Sequence, residues 1–159
     1  TADGGKGDYL AVPGRLEGGK ALGSPFLKMD GRAVFREAVE SLSSQAEAVL
    51  REAGVAASDI DLYVPHQANV RIMDAVASRI GVNPASVVKT VFQHGNTCAA
   101  SVPLALDYAV KNGMARRGDT VLLQGVGAGM TCGTSHGGAT GVQQGLISLH
   151  IVTILLFVI

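Results

Sequence analysis

The chain has 159 residues, enough for one domain with a sizeable core. Its formal net charge is zero and only 16% of its residues are charged, which excludes a whole-protein attraction to nucleic acid or to an acidic membrane surface. Hydrophobic residues make up 47%, Trp is absent and Gly occurs 21 times, a composition of short apolar strands, Ala-rich helices and many tight turns.

The two cysteines, Cys98 and Cys132, lack metal-ligand spacing and point to a reducing, cytoplasmic setting rather than a disulfide scaffold. Residues 1–6 are polar and Gly-rich, without a signal-peptide pattern and without an initiator Met. They read as the start of a chain cut from something longer. Residues 1–25 as a whole read as loop, with glycines at 4, 5, 7, 14, 18, 19 and 23 and prolines at 13 and 25. Tyr9-Leu10-Ala11-Val12 is the one short strand candidate there.

Asp30 reads as an N-cap. From Gly31 onward Val34, Phe35, Ala38, Val39, Leu42, Ala46, Val49, Leu50 and Ala53 recur at three and four, one face of a long amphipathic helix. Gly54 ends it. Arg32, Arg36, Glu37, Glu40, Glu47 and Arg51 supply the expected wet face. Leu62-Tyr63-Val64 is a short buried strand stopped by Pro65, so His66 lies just past its carboxyl end. A second helix is expected over 68–80, with Ile72, Met73, Val76 and Ile80 inward and Gly81 closing it. Residues 87–92 read as the next strand, and Gln93-His94-Gly95-Asn96 as its following loop. A third helix over 97–112 is apolar on most sides and so reads as buried, with Pro103 set to kink it. Residues 120–124 form a strand, and Gly125-Val126-Gly127-Ala128-Gly129 a glycine loop that continues in extended form through Met130-Thr131-Cys132. The order β-α-β-α-β over 60–132 predicts a layered α/β fold.

The tail differs from what precedes it. Residues 135–141 read as flexible, and 146–159 are almost wholly apolar. At 14 residues this run falls short of the roughly 20 needed to span a bilayer, so no stable membrane span is expected. A buried strand, an interfacial segment and frame-shifted sequence all stay open. The last fits best, because the run has neither helical nor alternating pattern.

In an open α/β sheet the active site lies outside the strands' carboxyl ends, which draws attention to Val64-Pro65-His66-Gln67-Ala68-Asn69 and to His94-Gly95-Asn96-Thr97. A histidine beyond a strand end offers an N–H donor or a base, and an Asn amide offers a second donor to the same oxygen. A helix starting after Asn96 would add its N-terminal partial charge. Two neutral donors meeting on a carbonyl oxygen stabilise an enolate without titrating themselves. A lone loop histidine bonded to nearby backbone is the bland alternative, and the presence of both motifs argues against it.

These stretches, continued as Val70-Arg71-Ile72 and as Cys98-Ala99-Ala100-Ser101-Val102-Pro103, closely resemble two motifs of β-ketoacyl-acyl carrier protein synthase III, a thiolase-fold condensing enzyme. Gly125-Val126-Gly127-Ala128-Gly129 resembles its glycine loop, and Gly31-Arg32-Ala33-Val34-Phe35-Arg36 the start of a long helix in its C-terminal half. The resemblance runs from about residue 7 to 133. It implies the C-terminal half of an α/β thiolase-like fold, a layered sheet with a buried central helix and covering helices, and divides the chain into a loop-rich remnant at 1–25, the domain at 26–133 and the atypical tail at 134–159. It further implies decarboxylative condensation of acyl-CoA with malonyl-acyl carrier protein, with no resident cofactor or metal and an intact enzyme that is a homodimer. His66 and Asn96 would hold the malonyl thioester carbonyl, and Ala128 would offer a backbone N–H to the acyl oxyanion. Phe35, Ala68 and Asn69 would line the pantetheine channel. Arg36, Arg71 and Arg79 would meet the acidic carrier protein, although from the bare sequence solvated helix faces explain those arginines better.

Three departures qualify the resemblance. The nucleophilic cysteine belongs to the family's N-terminal half, outside this chain, and Cys98, where the family usually has Ser, would need an activating neighbour to replace it. Val126 stands where the family commonly has Phe. The tail lacks the family's short, aromatic-ended last strand. A related secondary-metabolite ketosynthase, and an inactive fragment or non-catalytic carrier-binding or dimerising module, are the alternatives.

Overall fold

The helix expected from the apolar spacing is α1, Gly31–Ala53, in a computed structural model that describes residues 1–143 and 146–149. Asp30 caps it: one carboxylate oxygen accepts from the N–H groups of Arg32 (3.1 Å) and Ala33 (3.0 Å), two donors that a helix start otherwise leaves unpaired. Gly54 closes it at φ 68°, ψ 26°, a left-handed conformation that an L side chain resists. Ala38, Leu42, Ala46 and Leu50 are buried along one face. Glu37, expected on the wet face, is half-buried instead. Lys6 reaches it at 2.5 Å and the Ser41 hydroxyl donates to it at 2.7 Å, and the ammonium first, then the hydroxyl, holds its carboxyl below the usual range.

The glycine-rich start is more ordered than a loop. A 3-10 helix spans Gly4–Tyr9. The expected strand appears as β1, Leu10–Ala11, which pairs antiparallel with β4, Lys28–Met29. Between them β2, Arg15–Glu17, and β3, Lys20–Leu22, form a hairpin. Gly18 and Gly19 turn it at φ 56° and 77°, the positive values that a two-residue turn needs to match strand twist.

The main sheet is built from β5, Leu62–Pro65, β6, Thr120–Gly127, β7, Thr131–Gln143, and β8, Leu146–Leu149, in that order. β5 and β6 are parallel, with Leu62 opposite Val121 and Pro65 opposite Gln124. β6 and β7 are antiparallel. Alternation along the strands sorts the core into two layers. Tyr63 and Leu122 pack with α1 and with α2, Val70–Ile80. Leu62, Val64 and Val121 pack on the other face against Ala105 and Ala109 of α4, Ser101–Lys111. Burying a Leu or Val side chain contributes about 1.5–3 kcal/mol, so these layers set the position of all three helices.

Three expectations need correction. Residues 87–92 are not a ladder strand. Val87 makes a single parallel bridge to Tyr63 and the Val88 N–H bonds the Tyr63 carbonyl at 2.8 Å, after which Val91–His94 forms the short helix α3. The physical reason is Gln67, whose side-chain oxygen takes the N–H groups of Thr90 and Val91. Residues 135–141, expected to be flexible, belong to β7, because the turn at 128–130 folds the chain back and pairs it with β6 from Gly127↔Thr131 to Thr120↔Gly138. Of the apolar run 146–159, only β8 falls among the described residues.

The third correction concerns α4. It starts at Ser101, after a 3-10 turn at Cys98–Ala100. Ser101, Ala105 and Ala109 are buried, whereas Pro103 and Leu104 are exposed, so burial is confined to a face of small residues that lets the helix lie close to the sheet. Pro103 is the third helical residue, where an N–H has no partner within the helix in any case. The expected kink therefore has no cause there. Among the described residues no helix is long and apolar enough to cross a membrane.

The cap at Asp30 makes a direct test of the α1 reading. Asp30→Ala is expected to lower stability by about 1 kcal/mol and Asp30→Asn by markedly less, measured as the shift in urea midpoint.

Candidate active site

The site starts where β5 ends. His66 follows Pro65, and its N–H donates to the Gln124 carbonyl of β6 at 2.7 Å. The sheet ladder is thereby extended by one residue and the histidine is fixed at the strand's carboxyl end. The ring is half-buried, and its Nδ1 lies 2.6 Å from the Ser101 hydroxyl at the start of α4. Burial lowers its pKa from the ordinary value near 6.5, so the imidazole is neutral at neutral pH.

Gln67, next in the chain, has no exposed surface. Its amide nitrogen donates to the carbonyls of Pro65 (2.7 Å) and Val88 (3.0 Å), and its oxygen accepts from Thr90 (2.7 Å) and Val91 (3.1 Å). Its own backbone N–H donates to Ser101 Oγ at 3.2 Å. One side chain therefore ties the His66 turn to the extended segment at 87–90 and to α3, which leads into Gly95 and Asn96.

Asn96 is exposed, and its Oδ1 accepts from the Cys98 N–H at 3.0 Å. That bond leaves the two Nδ2 hydrogens as the donors Asn96 can offer. The helix starts not at Thr97, directly after Asn96, but at Ser101, so the positive end of α4 falls beside His66's Ser101 partner. Cys98 is exposed at φ 51°, a left-handed backbone that costs a non-glycine residue about 1–2 kcal/mol. Cys132 is buried in β7, and burial pushes its thiol up to about 11, which makes it an inert core group rather than a nucleophile.

The remaining expected residues fall into two groups. Asn69 caps α2, its Oδ1 accepting from the Arg71 N–H at 2.9 Å, and Ala68 is exposed beside it. The Arg71 guanidinium lies over the Phe35 ring, 5.6 Å from its centroid, which brings an expected channel residue and an expected carrier-binding residue together across α1 and α2. Arg36 is exposed on α1. Arg79 is already paired with Glu40 at 2.6 Å; both side chains are largely exposed, so solvent screens the pair and it contributes little to stability. Ala128 follows the end of β6 in the turn toward β7.

Three residues that the motif reading left without a role organise this region: Gln67, Ser101 and Gln124. Gln124 is 1% exposed. It accepts from the Tyr63 hydroxyl and donates to the Leu42 carbonyl (2.7 Å) and to Thr134 Oγ1 (2.9 Å), joining α1, β5, β6 and β7. The signal for such residues is a polar side chain at a core position of an apolar pattern.

A parallel strand pair with a neutral histidine at its carboxyl end, extended by antiparallel strands and backed by helices on both sheet faces, is the architecture of a thiolase-like α/β domain. The family model for the C-terminal part of 3-oxoacyl-(acyl carrier protein) synthase III matches residues 50–136, and the chain belongs to that family. The 3-oxoacyl-(acyl carrier protein) synthase III of Pseudomonas aeruginosa is 37% identical with a TM-score of 0.82, over 90% of this chain and 43% of that one. The corresponding synthase of Thermus thermophilus is 41% identical with a TM-score of 0.74, over 86% and 43%. The priming β-ketosynthase of a polyketide biosynthetic pathway is 35% identical with a TM-score of 0.76, over 86% and 42%. The chain thus spans less than half the length of each of these relatives.

Gln67→Leu leaves two carbonyls and two N–H groups around a buried site without their partner. It is expected to lower stability by roughly 3 kcal/mol or more, read from urea unfolding. His66 gives a pH signature. Its folded pKa lies below its unfolded one, so the unfolded chain binds the extra proton. Stability is therefore fully present above about pH 6.5 and falls as pH drops through the folded pKa. Urea midpoints at about pH 7.5 and pH 5 are expected to differ more in the native chain than in His66→Gln.

Proposed function

We propose that this chain supplies the malonyl-binding half of a β-ketoacyl-acyl carrier protein synthase III, which condenses acyl-CoA with malonyl-acyl carrier protein at the start of fatty acid synthesis. The observation that carries this reading is the pair of oriented neutral groups, His66 bonded through Nδ1 to Ser101 and Asn96 bonded through Oδ1 to Cys98. Each is held by one polar atom and keeps the other for a ligand.

In this reading the malonyl thioester carbonyl accepts hydrogen bonds from an imidazole N–H of His66 and from Asn96 Nδ2. The bond between the α-carbon and the carboxylate breaks, carbon dioxide leaves, and the electron pair moves into an enolate whose oxygen the two donors stabilise. The enolate carbon attacks an acyl thioester carried on a cysteine of the enzyme's other half. That attack forms the new carbon–carbon bond and a tetrahedral oxyanion met by the backbone N–H at Ala128; its collapse re-forms the carbonyl, breaks the carbon–sulfur bond and releases the cysteine thiolate. Neutral donors suit this step, because a protonated imidazole would transfer its proton to the enolate and quench it.

Phe35, Ala68 and Asn69 line the approach of the pantetheine arm, and Arg36 and Arg71 present charge to the acidic carrier protein. Arg79 joins them only by leaving Glu40. Support for this arrangement comes from the Arg71–Phe35 contact, which puts a cation and an aromatic ring at one edge of the α1–α2 surface. The likeness to a polyketide priming ketosynthase favours a second reading with the same chemistry on a different acyl donor.

In the enzyme assembled from both halves, His66→Ala and Asn96→Ala are each expected to slow malonyl decarboxylation by about 10²–10³-fold, with a much smaller effect on acylation from acyl-CoA. Single-turnover assays of the two steps check this. Equal loss of both would overturn the division of labour.

A further inference from the structure

We infer that the Ser101 hydroxyl is a positioning group that holds His66 in the tautomer protonated on Nε2. A serine hydroxyl has one proton to give and two lone pairs to receive with. The Gln67 backbone N–H, which can only donate, reaches Ser101 Oγ at 3.2 Å and occupies a lone pair. His66 Nδ1 lies at 2.6 Å on the same oxygen. Among the described residues the hydroxyl proton has no other acceptor, and Ser101 is only 1% exposed, so solvent does not supply one. If Nδ1 carried the ring proton, Ser101 Oγ would receive two N–H groups and its own proton would be buried without a partner. The arrangement that satisfies all three groups runs from Gln67 N–H to Ser101 O–H to the Nδ1 lone pair, and a neutral ring then carries its proton on Nε2. Burial keeps the ring neutral, as the lowered pKa shows.

Gln67 makes this arrangement rigid. Its N–H cannot swing away from Ser101, because its side chain is held by four hydrogen bonds in a dry site. Ser101 is held as the first residue of α4, with Ala105 and Ala109 packed on the sheet one and two turns later. The consequence for catalysis rests on the reading above: an Nε2–H donates to a thioester carbonyl, whereas an Nε2 lone pair would repel it. The tautomer itself is a property of this chain whatever reaction it serves.

The test is a two-bond proton–nitrogen correlation spectrum of the full ¹⁵N-labelled chain at neutral pH, with the His66 ring assigned by the signals lost in His66→Gln. The native chain is expected to show Nδ1 as the unprotonated ring nitrogen and Nε2 as the protonated one. Ser101→Thr, which keeps a hydroxyl, is expected to retain this pattern. Ser101→Ala is expected to lose it, with the proton moving to Nδ1 or the two nitrogen shifts converging as the tautomers mix. Ser101→Cys, which keeps the volume and weakens the donor, stands in if the alanine chain does not fold, with the same expected loss. A native ring protonated on Nδ1, or an unchanged pattern in the variant without a hydroxyl, would overturn the inference. Neither result bears on whether the assembled enzyme decarboxylates malonyl thioesters, so the two ideas fail separately.

Discussion

The arrangement around His66 depends on the buried amide of Gln67. An amide with no access to water must find partners for both its ends, since each unmet polar group costs about 1–3 kcal/mol. Gln67 meets this demand with four backbone groups drawn from both sides of a gap of more than twenty residues. The same bonds that satisfy the glutamine stop the chain at 87–90 from extending as a strand. They turn it into α3, which leads into Gly95 and Asn96. A local electrostatic requirement thus fixes the relative position of two loops that the sheet ladder does not join.

Gln124 plays the matching part on the other side of β5. Its amide joins the phenol of Tyr63, the last polar group before the site on that face, to α1 and β7. Its backbone carbonyl holds the His66 N–H. Two fully satisfied amides at the strand ends add little net stability compared with an apolar core of equal shape, but they permit few alternative packings. Specific geometry matters where a site must aim donors at one oxygen, since a displacement of about 1 Å can cost 10²-fold in rate.

Much of this was legible in the sequence, because local signals agreed with the final packing. Asp30, the three-and-four spacing and Gly54 bounded α1 at Gly31–Ala53, and Pro65 marked the end of β5. The misread stretches share a cause. Val87, Val88, Thr90 and Val91 have the composition of a strand, but the N–H groups of Thr90 and Val91 and the carbonyl of Val88 are claimed by the Gln67 side chain, twenty or more residues away, which no window of local pattern contains. The helix over 97–112 looked buried all round because the count of apolar residues does not reveal which neighbours a helix has. The 3-10 turn that moves the helix start to Ser101 leaves no mark in the apolar spacing. Ser101 itself is one small polar residue in an apolar run, and its importance comes from partners 34 and 35 residues away.

Tyr63 has an optical consequence. The chain has no Trp, three tyrosines and four phenylalanines, so its near-ultraviolet absorption and emission arise chiefly from the tyrosine rings. Tyr63 is fully buried, and burial pushes its phenol far above its ordinary value, which keeps the ring un-ionised in mild alkali. Its hydroxyl is bonded to Gln124, where α1, β5, β6 and β7 converge. One of the three tyrosine chromophores of this protein therefore stands at the seam of its core, one pleat away from the strand end that carries His66, and senses loosening there before any label is attached.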